Sequence, residues 1–201
     1  MDSLIPGQSP DKGDGTAGAD DLVARASADA QAVGALFDKY YERILSYCAH
    51  RLGNRWDAED ITSETFLRVA RHVGTFQGGD AEFRRWLYAI ATNQINGYMR
   101  TAARRRQLLA AALEQGAAGQ GDHTDPPDDP ETDWPSLYEA ILRLRPNHQV
   151  AVTLRFFEGM AIGELSGILD MKPAAVRVTL SRALGKLRKH LGSAFSNEAE
   201  I

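Results

Sequence analysis

The chain has one cysteine, Cys48, which excludes an internal disulfide and any cysteine-rich zinc site. Its five histidines (His50, His72, His123, His148 and His190) are scattered without ligand spacing, so the sequence offers no metal motif and calls for no cofactor. No apolar run approaches the ~20 residues that cross a bilayer, and the N-terminus lacks a signal-peptide pattern, so no membrane insertion is expected. Strand alternation and internal repeats are also missing. These absences together point to a soluble, reducing, cytoplasmic setting. What remains is helical: 201 residues, 43% of them hydrophobic, enough to bury real cores.

The formal net charge of −4 argues against a nucleic-acid partner only until its distribution is read. Arg84 to Arg106 holds six arginines and no acid, and Lys172 to Leu191 holds six basic residues and no acid. Gly121 to Trp134 holds six acids and neither lysine nor arginine. Two cationic segments are separated by an acidic strap, and the average conceals both.

Taken in order, residues 1–19 are rich in Gly, Pro, Asp and Ser and read as a disordered tail. A short helix near Asp20 to Ala26 follows. Asp29 is placed to cap a helix reaching Leu52, with Val33, Leu36, Phe37, Tyr40, Ile44, Tyr47 and Cys48 on its apolar side and Gly53-Asn54 ending it. Cys48 is then a core thiol. The next helix, Asp57 to Val73, has Thr62, Phe66, Val69 and Val73 as its core stripe. The loop Thr75-Phe76-Gln77-Gly78-Gly79-Asp80 leads into a helix from Ala81 to Leu113, with Leu87, Ala91, Ile95, Tyr98 and Met99 pointing one way. Residues 114–134 read as an acidic linker without a core. Helices resume over Trp134 or Pro135 to Arg143, Pro146 to Glu158, Ala161 to Leu169 and Lys172 to Leu191. Val150, Val152, Leu154, Phe156 and Phe157 are core candidates in the second of these. The division is a first domain at 20–113, the linker, a second domain at 135–192 and a tail at 193–201.

Three surfaces carry chemistry. Asp60, Glu64, Leu67 and Arg71 line up at helical spacing, which fits a partner surface and equally a solvated face with one stray leucine. With Glu59 they are the nearest approach to a carboxylate cluster, and a helix N-terminus accounts for acids there more simply than catalysis does. On the long helix Trp86, Asn93, Asn96, Arg100 and Arg104 share one side, where arginines, amides and an outward tryptophan suit phosphates and unstacked bases. In the last helix Val176, Leu180, Ala183, Leu184, Leu187 and Leu191 form one stripe, with Lys172, Arg177, Arg182, Lys186, Arg188 and Lys189 around the rest. A short helix, a turn at Asp170-Met171-Lys172 and this basic helix, opened by Pro173, read as a helix-turn-helix. Its second helix alone also fits an ordinary amphipathic surface helix.

The segments DAEDITSETFLRVARH, FRRWLYAIATNQINGYMR and ILRLRPNHQVAVTLRFFEGMAIGELSGILDMKPAAVRVTLSRALGKLR resemble bacterial RNA polymerase sigma factors in order and spacing. The small two-domain extracytoplasmic-function (ECF) group is the best match, over about Asp29 to Leu191. The resemblance implies an all-α fold: a sigma region 2 bundle and a sigma region 4 helix-turn-helix, joined by the flexible acidic linker. It implies no cofactor and no catalysis. It also implies three partners: core RNA polymerase through its beta-prime and beta subunits, promoter DNA, and an anti-sigma factor. By position, Asp60, Glu64, Leu67 and Arg71 match the polymerase-binding segment. Thr75, Phe76, Gln77, Gly78, Gly79 and Asp80 match the loop that captures a flipped −10 base. Trp86, Asn93, Asn96, Arg100 and Arg104 fall on the DNA-facing helix beside it. Lys172, Ala174, Ala175, Arg177, Val178, Ser181 and Arg182 fall on the −35 reading helix. Ser63, Gly97 and the Ala174-Ala175 pair depart from the family's usual residues, which bears on promoter sequence. The alternative is a helix-turn-helix regulator that works without polymerase, and it would have no use for the Asp60–Arg71 row.

Overall fold

In a computed structural model of the chain, the described residues are 22–26, 29–113 and 134–198. The tail at 1–19 and the linker up to residue 133 lie outside them. Every regular element among the described residues is helical. A short helix, α1, covers 22–26, and α2 (Ala30–Leu52), α3 (Arg55–His72) and α4 (Asp80–Leu113) complete the first unit. The second unit comprises α5 (Trp134–Leu142), α6 (Pro146–Val152), α7 (Ile162–Leu169) and α8 (Pro173–Glu198).

Caps set the helix bounds. The Asp29 carboxylate accepts the Gln31 N–H at 2.9 Å to start α2, and Gly53, at φ 68°, ends it with its N–H on the Ala49 carbonyl. Asn54 then starts α3 by accepting the Trp56 N–H at 2.9 Å, so this helix begins two residues earlier than expected. A side-chain cap of this kind contributes about 1 kcal/mol. Leu36, Tyr40, Ile44, Tyr47 and Cys48 on α2 are buried against Phe66 and Val69 of α3 and Phe83, Leu87, Ala91 and Ile95 of α4. Burial pushes the Cys48 thiol up to about 11, which leaves it inert at neutral pH. Phe37, expected on the core side, is instead 39% exposed at the rim, stacked on Tyr41 and tilted against Phe66.

Three further expectations need correction. Tyr98 is not a core residue: it is 37% exposed, at the edge, where Asp57 pushes its hydroxyl up to about 12. Phe156 is not one either, being 58% exposed. After Val152 the chain runs through a π-helical segment, Thr153–Phe157, in which the Glu158 N–H reaches back five residues to the Thr153 carbonyl. The wider turn rotates Phe156 out of the register that a regular α-helix keeps. Finally, α8 continues to Glu198 where a tail from 193 was expected. No proline follows Leu191 to stop the helix, and one glycine, Gly192, is too weak a break.

The two units share a seam. His50 packs on the rings of Phe157 and Tyr138, at centroid distances of 4.5 and 5.4 Å. Leu142 lies over Gly53, its Cδ1 2.8 Å from where a Cβ would stand, so that turn requires glycine twice over, for its φ and for its space. Arg84 meets Glu164 through Nε and Nη2 at 3.2 and 2.7 Å. The Tyr88 hydroxyl donates to the buried Glu158 carboxylate, which Arg43 also approaches at 3.5 Å. Arg51 is wholly buried and donates to Gln149 Oε1 at 3.3 Å, the Tyr47 hydroxyl at 3.2 Å and Asn96 Oδ1 at 3.1 Å. Three neutral acceptors and the negative end of α2 offset the cost of holding that cation out of water.

A candidate nucleic-acid interface

The loop between α3 and α4 is built tightly. Val73–Thr75 makes a single 3-10 turn, closed by the Phe76 N–H on the Val73 carbonyl at 3.0 Å. The Thr75 hydroxyl donates to the His72 carbonyl at 2.9 Å, and the Gly79 N–H donates to Glu82 at 3.1 Å. Gly78 sits at φ 146°, with Glu82 Cβ only 2.8 Å from where its own Cβ would be. Beneath the loop Phe76 stacks on Trp86, centroids 5.0 Å apart at 29°, and meets Phe83 edge-on at 5.7 Å. The aromatic floor is thus fixed by packing on a buried ring.

Between loop and helix opens a cavity of about 460 Å³, lined by Arg68, His72, Thr75, Phe76, Gln77, Trp86, Ile90 and Asn93. That volume is in the range of small-ligand sites, and the lining offers a stacking surface, the amides of Gln77 and Asn93 and the Arg68 guanidinium. Five expected residues therefore meet in one place: Thr75, Phe76, Gln77, Trp86 and Asn93. Gly78 and Gly79 shape the loop. Asp80 and Asn96 are engaged elsewhere: Asp80 accepts from Lys39 at 2.6 Å and Tyr40 at 2.8 Å, and Asn96 accepts from Arg51. Arg100 and Arg104 are exposed further along α4, at helical steps from Asn93. Sequence reasoning missed Arg68, His72 and Ile90. The first two stand at helical steps before Thr75 (68, 72, 75), which is the one signal in the sequence that ties the end of α3 to the loop.

In the second unit, Asp170 takes the left-handed conformation at φ 50°, and the Met171 N–H bonds the Ser166 carbonyl at 3.0 Å. Aspartate tolerates that conformation better than most residues. The turn aims α8 across α7. Val176, Leu180, Ala183 and Leu187 are buried, while Lys172, Ala174, Arg177, Val178, Ser181 and Arg182 are exposed and Ala175 is half-buried. An exposed valine beside arginines suits thymine methyls next to guanine or phosphate.

On α3, Asp60, Leu67 and Arg71 are exposed, Leu67 at 52%; Glu64 is half-buried and pairs with Arg68 at 3.3 Å. Among the described residues no cluster of three potential metal ligands occurs, and no helix is long and apolar enough to cross a membrane.

The sequence family described as sigma-70 region 2 matches residues 36–105, and sigma-70 region 4 matches 135–187. The chain is 31% identical over 157 residues to the RNA polymerase sigma factor CarQ of Myxococcus xanthus, covering 78% of this chain and 87% of CarQ. It is 33% identical over 175 residues to the ECF RNA polymerase sigma factor BldN of Streptomyces coelicolor, covering 85% of this chain but only 65% of BldN. Its fold matches CnrH, solved in complex with the cytosolic domain of CnrY, with a TM-score of 0.63 at 22% identity over 87% of this chain and 97% of that one. The chain belongs to the RNA polymerase sigma factors, in their ECF group.

Proposed function

We propose that this chain is a transcription initiation factor, with no catalytic step of its own, that joins core RNA polymerase to promoter DNA and helps open it. The observation that carries the reading is the cavity under the α3–α4 loop, where Trp86, Phe76, Gln77 and Asn93 converge. A base out of the stack needs a flat apolar floor and amide partners for its edge, and that cavity has both. Flipping a base costs a few kcal/mol, which aromatic stacking of about 1–3 kcal/mol and the amide contacts offset. Arg100 and Arg104 then lie along the path of the backbone to one side of the opened base, further along α4. The helix α8 holds the −35 end through Arg177, Val178, Ser181 and Arg182, with Lys172, Ala174 and Ala175 beside them. The Asp60, Glu64, Leu67 and Arg71 face is the polymerase contact, on its beta-prime side. Two proteins of the same fold are solved as complexes, CnrH with the cytosolic domain of CnrY and RpoE of Bartonella quintana with the anti-sigma factor NepR, which supports an anti-sigma partner here as well.

The test is run-off transcription with purified core polymerase on a library of genomic fragments. The expected result is a set of discrete transcripts that share upstream sequence and require this chain. Promoter binding without polymerase, and no added transcripts, would instead support a free-standing regulator.

A further inference from the structure

A second cavity, about 380 Å³, lies between the start of α6 and the middle of α8. Arg145, His148, Arg182, Gly185, Lys186 and Lys189 line it. Two guanidinium and two lysine side chains converge there, and among the described residues none of these four side chains makes an ion pair or a hydrogen bond with another residue. His148, also in the lining, has a buried Nδ1 atom without a hydrogen-bond partner among the described residues. Burial first, and then Lys186, Arg145 and Arg182, hold its imidazole below the usual histidine range. Like charges facing one another raise the energy of an empty groove and lower that of a groove filled by an anion. Gly185 keeps the floor open: a Cβ built there would meet nothing within 4 Å.

We propose that this groove is a cradle for a backbone phosphate of duplex DNA, independent of sequence, that extends the base-reading face of α8 beyond Arg182. The inference rests on reading α8 as the −35 helix. With 26 residues, α8 is about 39 Å long, whereas the major groove is only ~12 Å wide. The later turns of a helix whose first turns enter the groove must pass over sugar and phosphate. Ala174, Val178 and Arg182 form a ridge at four-residue steps, and Lys186 and Lys189 continue it. Arg182 belongs to both sets and so couples the base contact to the phosphate contact. Arg145 and His148 close the groove from α6, which makes the cradle a feature of the folded unit and not of one helix.

The test uses the full chain and a fluorescent duplex of about 30 base pairs of arbitrary sequence, with binding followed from roughly 50 to 200 mM salt. Each phosphate contact adds about 0.9 to the slope of log affinity against log salt. The double variant Lys186→Ala/Lys189→Ala is expected to lower that slope by roughly 1 to 2. Gly185→Glu, which sets a carboxylate in the groove, is expected to weaken binding in the same direction, and Arg25→Ala to leave it unchanged. A methylphosphonate duplex should erase the difference between wild type and the double variant. Circular dichroism checks folding, and if Gly185→Glu misfolds the double lysine variant decides alone. Unchanged slopes in the folded variants overturn the proposal. So does binding of inorganic pyrophosphate that is lost in the double variant while the duplex slope stays put, which would make the groove a small-anion site. Neither polymerase nor promoter is present in this assay. Loss of the slope effect with run-off retained therefore removes only the cradle, and loss of run-off with the slope effect retained removes only the initiation-factor reading.

Discussion

The first unit presents a cavity and the second presents a ridge. Under the α3–α4 loop, rings and amides line a space of about 460 Å³. On α8, small and branched side chains alternate with cations along a convex line that touches many groups at once. The first shape suits a base that has left its helix, and the second suits a helix that stays closed. On the roles proposed for them the difference would divide the energetics as well, with stacking the larger share at the cavity and counterion release at the ridge.

Trp86→Ala tests that division most severely. Stacking of about 1–3 kcal/mol converts to roughly a 5- to 150-fold loss of run-off from a duplex promoter. A template already unpaired over the −10 element should recover most of it, because the cost of opening is no longer charged to the protein. Equal losses on both templates would break the comparison. Arg182→Ala is expected to lower transcription by about tenfold from a promoter that depends on its −35 element, with no recovery on the unpaired template. Co-purification with core polymerase is expected to fall several-fold for Leu67→Ala with Glu64→Ala, the scale of about 1 kcal/mol lost at an interface. Unchanged recovery would remove that face from the polymerase contact. The smallest effect concerns pH. Burial lowers the His50 pKa, so below about pH 6.5 the unfolded chain binds that proton more readily and stability falls as pH falls. His148 shifts in the same direction and adds to it. Tm should drop between pH 7.5 and 5.5, by roughly 2–4 °C for each kcal/mol lost, and His50→Phe should flatten the dependence.

The helices were legible because periodicity and caps are local. Asp29, Gly53 and Pro173 mark their ends by the chemistry of a single residue, and the Val176–Leu187 stripe records one buried face. The π-helical segment was not legible. Nothing in Thr153–Phe157 marks an extra residue in the turn, so Phe156 and Phe157 read alike as core candidates and only the second is packed against the core. Five residues of the cavity were found because a two-glycine loop ran into a tryptophan. Arg68 and His72 escaped because they lie on the helix before it. The seam was out of reach altogether: Tyr88 and Glu158 are 70 residues apart, and Arg51 and Gln149 are 98. Such pairs have no signature in one sequence. Charge segregation, in contrast, was visible at once and needed only to be counted in pieces.

That seam limits how far the molecule reaches. Elements named −10 and −35 are separated by roughly 25 base pairs, or about 85 Å of duplex at 3.4 Å per pair. A compact chain of 201 residues has a radius of gyration of only about 16–17 Å. A molecule that touches both elements must therefore part Arg84 from Glu164, lift Leu142 off Gly53 and return Glu158 and Arg51 to water. The 20 residues between Leu113 and Trp134 set the covalent ceiling on that separation at about 70 Å. The two charged groups regain hydration as the halves part, which offsets the bonds they lose. The closed molecule is in this sense a folded ruler, whose hinge opens against apolar contact more than against charge.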